Sequence, residues 1–263
     1  MPELPDVEAR KSRIESFGLG EPLKKVLVRD ERILEGIKPT AFSRALKGAE
    51  FTSVKRRGKY LLVATNKNST LLLHFGMTGD IVYTKKGEPA PPYSRVEFIF
   101  DKGSLHYTNL RMIGKVSLFP TLNEDEIEDV SKLGPEPLDR KFTYARFREA
   151  LRGTKTTIHQ ALMDQERIAG IGNIYSDEIA FQAGINPERP VDKLSEEEIR
   201  ALYEKTKWTL KRAIALNAEL EKRPDLFIIP HRKKNGACPK CGTVLKKVSI
   251  GGRSSYYCPR CQK

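Results

Sequence analysis

The chain has 263 residues, 39% of them hydrophobic and 31% charged, with a formal net charge of +13. That length suits two domains, or one plus a small module, and the charge favours a polyanionic partner, most simply nucleic acid. No apolar run reaches the roughly 20 residues of a membrane-spanning helix, and the acidic, proline-rich start is unlike a signal peptide. A protein with no membrane role is expected, cytoplasmic and nucleoid-associated, or nuclear in a eukaryote.

Residues 5–17 set Val7, Ala9, Ile14 and Phe17 among charges, which predicts an amphipathic helix ended by Gly18 and Gly20. Eight strand-like runs follow, at 24–29, 51–56, 60–65, 70–75, 80–84, 95–100, 104–109 and 115–119. Turn residues separate them, the spacing of an all-β sandwich or barrel. A short helix is expected over 40–46. The acidic stretch 123–128 and the proline-punctuated stretch 133–138 mark a domain boundary, after which the pattern turns helical, at 143–151, 157–164, 175–183 and 195–220. Ser195 and Glu198 make a capping box. Arg223-Pro224-Asp225 closes the helical part, and 226–263 reads as a separate small module. The expected division is 1–125, 126–225 and 226–263: an α+β multidomain chain with an N-terminal β-sandwich, a helical domain and a C-terminal hairpin.

At the start, Met1-Pro2-Glu3-Leu4-Pro5-Asp6 permits two readings. The prolines stiffen the entry to the helix, or removal of Met1 exposes Pro2 as a secondary amine. Such an amine, with a pKa of about 7.7–8.0, attacks a sugar C1′ and gives a Schiff base. Glu3 then supplies a carboxyl that gives or takes a proton.

At the other end, Cys238, Cys241, Cys258 and Cys261 form two CxxC pairs separated by sixteen residues. Two knuckles at this distance suit one structural, tetrahedral zinc ion with no open position. Between them, 246–250 and 254–257 read as two strands joined by Gly251-Gly252, with Arg253 at or just after the tip. From Leu226 onward there are nine basic residues and no acidic one, as a phosphate-facing hairpin requires.

Gly170-Ile171-Gly172-Asn173 lies between two expected helices. It is a tight packing turn, or the N–H groups at the next helix start hold a phosphate with Asn173 adding a contact. Lys55-Arg56-Arg57-Gly58-Lys59 precedes an apolar strand and can line a DNA groove. Met77 permits two readings: a core residue, as a lone methionine commonly is, or, lying between Gly76 and Gly79, a residue of an exposed turn from which it can wedge into a duplex.

Together these segments resemble the formamidopyrimidine-DNA glycosylase family almost end to end. The matching motifs are Pro2–Glu8, Arg57–Leu61, His74–Gly79, Leu133–Leu138, Gln160–Glu178 and Gly252–Gln262. The resemblance implies a helix–two-turns–helix domain and a bifunctional DNA glycosylase and abasic-site lyase of base excision repair. Its partner would be damaged double-stranded DNA, and the chain a monomer. Pro2 would attack C1′, Glu3 would act as proton donor, and Lys59 and Arg253 would assist β- and δ-elimination. The damaged base would leave the stack, with Met77 and Arg111 filling the hole. His74, Tyr93, Lys155 and Asn173 would contact DNA.

The chain also departs from the family pattern. Asn109-Leu-Arg-Met-Ile113-Gly114 stands where the family usually has Asp-Pro-Arg-Arg-Phe-Gly, so the aromatic wedge is Ile113. Tyr93 stands for a DNA-contacting histidine, Asp6 for a glutamate, and His159, with Lys155 nearby, for a lysine. The glycine-rich loop that encloses 8-oxoguanine has no counterpart in 217–234. Weak excision of 8-oxoguanine relative to formamidopyrimidines is therefore expected. Two alternatives stand beside this reading: an endonuclease VIII-like glycosylase for oxidised pyrimidines, and a non-catalytic zinc protein that binds damaged DNA.

Overall fold

The structure, a computed structural model, describes residues 1–223 and 225–263. Pro224, expected to help close the helical part, lies outside the described residues. The chain divides into two compact units. The first holds Met1–Pro2 and Asp6–Ser131, the second Glu3–Pro5 and Lys132–Lys263.

The first unit is a β-sandwich with a long N-terminal helix. Helix α1 spans Leu4–Gly18, and Val7 and Ile14, one helical face apart, are its buried residues in this unit's core. Strand β1 (Lys25–Val28) and helix α2 (Pro39–Leu46), with proline in its first turn, follow. Then come β2 (Phe51–Arg57), β3 (Tyr60–Thr65), β4 (Thr70–His74) and β5 (Gly79–Lys85). The last three are β6 (Ser94–Ile99), β7 (Gly103–Asn109) and β8 (Lys115–Phe119). All eight expected strands form.

They make two antiparallel four-stranded sheets, in the orders β1-β6-β7-β5 and β2-β3-β4-β8. Strand β6 alternates buried and half-buried residues, as a strand with one covered face does. Phe42, Phe51, Phe75, Phe98, Tyr107 and the leucines of β3 and β4 fill the space between the sheets. Each such side chain contributes roughly 1.5–3 kcal/mol by leaving water.

The second unit is helical and ends in a hairpin. After α3 (Glu128–Ser131), which closes the first unit, come α4 (Tyr144–Leu151), α5 (Ile158–Met163), α6 (Asn173–Ala183) and α7 (Glu196–Ala215). Thr143 caps α4, and the expected capping box of Ser195 and Glu198 starts α7. A second box, Thr157 with Gln160, starts α5 and is worth about 1 kcal/mol.

Two expectations are corrected here. Helix α7 ends at Ala215, five residues before the expected 220. The chain turns there because Asn217 and Ala218 take φ of 51° and 61°, which no right-handed helix can continue. Helix α6 begins at Asn173, two residues before the expected 175. Strands β9 (Lys246–Ile250) and β10 (Arg253–Tyr257) pair antiparallel across Gly251-Gly252, and Arg253 faces Ile250 as the first residue of β10.

Candidate active site, DNA-reading edge and metal centre

Glu3 is tightly held by backbone donors. It is 2% exposed, and its carboxylate accepts three backbone N–H bonds: from Gly172 at 2.6 Å, Ile174 at 2.8 Å and Tyr175 at 3.2 Å. These are the open donors at the start of α6, where the helix dipole adds positive potential. The Leu4 N–H donates to Gly170 O at 3.0 Å, continuing the seat. The expectation that these N–H groups hold a phosphate is corrected, since an internal carboxylate already occupies them. Gly172 is required by contact. A Cβ there would lie 2.6 Å from Glu3 Oε1. The glycine turn therefore holds a catalytic candidate, and anions from outside must be met by side chains.

The Asn173 side chain is itself bonded within the protein: its Nδ2 donates to Ser254 O at 2.9 Å, beside Arg253, and its Oδ1 meets His159 Nε2 at 3.1 Å. His159 is fully buried, and burial pushes its pKa down, so the ring is neutral near pH 7 and donates from Nε2. Asp177, also fully buried, ties α6 to the hairpin. It accepts from Ser255 Oγ at 2.5 Å, from the Tyr256 N–H at 2.8 Å and from Arg232 at 2.8 Å. Burial raises the Asp177 carboxyl, and these donors pull it back. Arg232 also stacks over Tyr256. Thus Asn173 and the Arg253 strand form one rigid cluster. Sequence reading found Asn173 and Arg253 but missed Asp177 and Arg232. Their signal, an acid one helical turn after Asn173 and a basic residue before the first cysteine, is too common to single out.

Lys155 is not part of that cluster. It is exposed in the loop between α4 and α5, on a groove lined also by Arg148, Arg152, Asp192 and Glu196.

Lys59 lies in the first unit, 7% exposed. It occupies the second position of a two-residue hairpin whose first residue, Gly58, has φ 55°, joining Arg57 to its partner Tyr60. His74 pairs with Tyr60 across β3 and β4, and their rings are 4.8 Å apart. Burial first, then Lys59 and Lys115, lower the His74 pKa. The lowered pKa favours the neutral ring near pH 7. Burial and Asp129 push the Tyr60 phenol up to about 12.

The other expected contact residues form an exposed edge. Met77 is 42% exposed on its turn, Tyr93 53% and Ile113 48%, and Arg111 is exposed between them in sequence. Tyr93 and Met112 hold positive φ of 61° and 53°. Large apolar side chains held outward in this way suit insertion into a base stack better than packing in a core.

The sulfur atoms of Cys238, Cys241, Cys258 and Cys261 lie within 4.8 Å of one another, with Cys241–Cys258 at 3.5 Å and Cys238–Cys261 at 3.9 Å. A tetrahedral zinc with bonds of about 2.3 Å sets its sulfurs about 3.8 Å apart. The Cys261 N–H also points at Cys258 Sγ, 3.4 Å away. Gln262, 2% exposed, clamps the second knuckle: its Oε1 accepts from Cys258 N and its Nε2 donates to Ile185 O. The four cysteines fit one structural zinc ion.

Family comparison decides what this set of features belongs to. Residues 1–116 match the formamidopyrimidine-DNA glycosylase N-terminal domain, 133–223 its H2TH domain, and 237–263 the zinc finger found in FPG and IleRS. The chain belongs to the formamidopyrimidine-DNA glycosylase family. Relatives bearing that name in Listeria innocua and Bacillus cereus are each 34% identical, over 100% of this chain and 100% and 99% of theirs. Two solved structures of a Lactococcus lactis enzyme of the family cover both chains completely. One holds DNA containing N7-benzyl-Fapy-dG, at 27% identity and a TM-score of 0.90. The other holds DNA containing an oxidised pyrimidine, at 28% identity and a TM-score of 0.91. Family membership accounts for the sandwich, the helical domain and the zinc hairpin in one chain.

Proposed function

We propose that the protein excises oxidised, ring-opened purines from double-stranded DNA and then cuts the strand, with the Pro2 nitrogen as nucleophile. It is a bifunctional DNA glycosylase and abasic-site lyase, as its family is. Met1 acylates that nitrogen, so the working enzyme is the chain without Met1. The amine attacks C1′, and the base departs with the bonding electron pair and takes up a proton. The nitrogen then loses its own proton, and its lone pair breaks the C1′–O4′ bond as O4′ is protonated and the sugar ring opens. The resulting iminium acidifies the C2′ proton. Loss of that proton expels the 3′ phosphate, and a second elimination expels the 5′ phosphate. Lys59 assists the first elimination and Arg253 the second, and Glu3 carries protons. Met77 and Arg111 fill the gap left by the flipped nucleotide, while Asn173, Tyr93, His74 and Lys155 contact the strand. We place this activity in the cytoplasm, on the nucleoid.

The single observation that carries the reading is the seat of Glu3. Any buried carboxylate needs donors, but this one is the residue next to Pro2, and its three backbone donors hold a proton carrier beside the proposed nucleophile in one fixed position. Segment 217–234 supports the lesion preference. Phe227 and Ile228 are fully buried and the Ile229 N–H is bonded to Glu178, so the middle of the segment is committed to packing, and its sequence holds no glycine with which to form a loop enclosing 8-oxoguanine. The oxidised-pyrimidine reading is the second one, and the oxidised-pyrimidine complex of the Lactococcus lactis relative favours keeping it. Single-turnover excision on duplexes carrying formamidopyrimidine, 8-oxoguanine or thymine glycol tests both. Formamidopyrimidine should be released fastest and 8-oxoguanine slowly. Equal rates for the two purines would overturn the lesion preference, and faster release of thymine glycol would establish the second reading.

A further inference from the structure

The exposed edge of the first unit converges on one buried side chain. Asn109, the last residue of β7, is fully buried, and every one of its polar groups is engaged. Its backbone N–H donates to Tyr93 O at 3.0 Å and its carbonyl accepts from Arg95 Nε at 2.9 Å. Its Nδ2 donates to Phe75 O at 3.1 Å and meets Tyr107 Oη at 3.3 Å. Its Oδ1 accepts from Thr78 Oγ1 at 3.4 Å, and Thr78 Oγ1 accepts in turn from the Arg111 N–H at 3.0 Å.

These bonds reach three separate segments. One carries Tyr93, one is the 75–79 turn that carries Met77, and one is the 110–114 turn that carries Arg111 and Ile113. The two turns also touch directly: a Cβ on Gly76 would lie 2.4 Å from Ile113 O. Tyr93 and Met112, at positive φ, hold conformations that a chain without such ties would leave. We propose that Asn109 is a positioning residue that presets Tyr93, Met77, Arg111 and Ile113 as one wedge, ordered before DNA arrives. The inference rests on the proposed function, which puts Met77 and Arg111 in the gap left by the flipped nucleotide and Tyr93 against the strand.

The physical reason for an amide is specific. Phe75 O calls for a donor, and Thr78 Oγ1, which accepts from the Arg111 N–H, gives its proton to an acceptor. A carboxamide offers both in one planar group at any pH, where an aspartate in the same place would have to be protonated. A preset wedge pays no ordering cost on entering the base stack, which speeds the step in which the nucleotide leaves the helix. Chemistry on a sugar that is already outside a helix does not use the wedge.

The test compares two substrates. The first is a duplex with an abasic site and 2-aminopurine opposite it, whose fluorescence reports insertion of the wedge. The second is a single-stranded oligonucleotide with an abasic site, trapped by borohydride. Asn109→Ala and Thr78→Val are measured against the unaltered chain. Thr78→Val is nearly isosteric and removes the hydroxyl that joins Asn109 Oδ1 to the Arg111 N–H, leaving the bonds of Asn109 to Phe75 O and Tyr93 O in place. Both variants should slow the duplex fluorescence change, Asn109→Ala by about 10–100-fold, the scale on which misplacing a positioned group slows a step. Single-strand trapping should keep the unaltered rate.

Equal loss on both substrates, or unaltered fluorescence kinetics in both variants, would overturn the proposal. If Asn109→Ala does not fold, Thr78→Val decides alone by the same criterion. Failure of the unaltered chain to trap on either substrate would instead remove the proposed function itself.

Discussion

Glu3 and Glu178 are both buried carboxylates in the second unit, and they differ in what burial does for them. Glu3 meets the open end of a helix, with three N–H donors and a favourable dipole. Substituting Gly172 by Ala inserts a methyl group 2.6 Å from its carboxylate. Gly172→Ala should therefore leave the fold intact by circular dichroism and lower glycosylase turnover by about 100-fold or more, the loss expected when a catalytic group moves by an ångström.

Glu178 accepts from Gln182 Nε2 and from the N–H of Ile229, yet desolvation outweighs these bonds and pushes its pKa up to about 7. An acid with a raised folded pKa binds more protons folded than unfolded, so its contribution falls as pH rises from about 4.5 to about 7. The loss is on the order of 3 kcal/mol at most. Thermal melts between pH 5 and pH 8 should show a decline that Glu178→Gln flattens. An equal slope in the two proteins would contradict this assignment. Neither carboxylate's setting was legible in sequence. Glu3 stood out as the neighbour of Pro2, but its donors come from a turn almost 170 residues away, and nothing local announces such a contact.

At the scale of elements, what the sequence made legible depended on how local the deciding forces were. Strand β7 and hairpin β9–β10 are bounded by glycine turns and fell where alternation and turn chemistry put them. The zinc knuckles were legible for the same reason, since four thiolates at that spacing leave one arrangement. The end of α7 was not. Its helical periodicity runs on through Leu216 and Leu220, and only the left-handed Asn217 and Ala218, followed by burial of Leu220, turn the chain away. The Thr157–Gln160 box was overlooked beside the stronger one at Ser195, although both follow the same rule.

The metal carries the hairpin, because its own buried cluster is small: Ile228, Leu245 and Phe181 with two of the cysteines. Removing zinc with a strong chelator, or replacing Cys258 by Ser, should release β9 and β10 from α6. Amide signals of residues 238–263 should collapse toward random-coil positions while those of β2–β8 stay dispersed. Duplex binding should weaken in parallel, because Arg253 and the basic residues of the hairpin lose their place.

For the molecule as a whole, composition had already pointed to the partner. The net charge of +13, nine of whose positive charges follow Leu226, predicts binding dominated by phosphate contacts. Affinity for undamaged duplex should fall by about a thousandfold or more between 50 and 200 mM salt, a steepness that marks release of several counterions. A shallow dependence, measured by fluorescence anisotropy, would mean that the hairpin's charge serves something other than DNA. Pro2, Lys59 and Arg253 stand out in the sequence as candidates because each sits in a short motif of distinctive residues. The buried ties, Asn109 among Tyr93, Phe75 and Thr78, and Asp177 among Ser255, Tyr256 and Arg232, do not, since they join residues far apart in sequence.

The central claim is that the Pro2 nitrogen, once Met1 is gone, forms the covalent bond to DNA. Borohydride trapping on abasic-site DNA, followed by intact mass and peptide mapping of the adduct, tests it most directly. The account predicts one adduct per chain, on a protein lacking Met1, mapped to Pro2 and absent when Met1 is retained. An adduct mapped to a lysine, or none at all from protein whose Met1 has been removed, would contradict it.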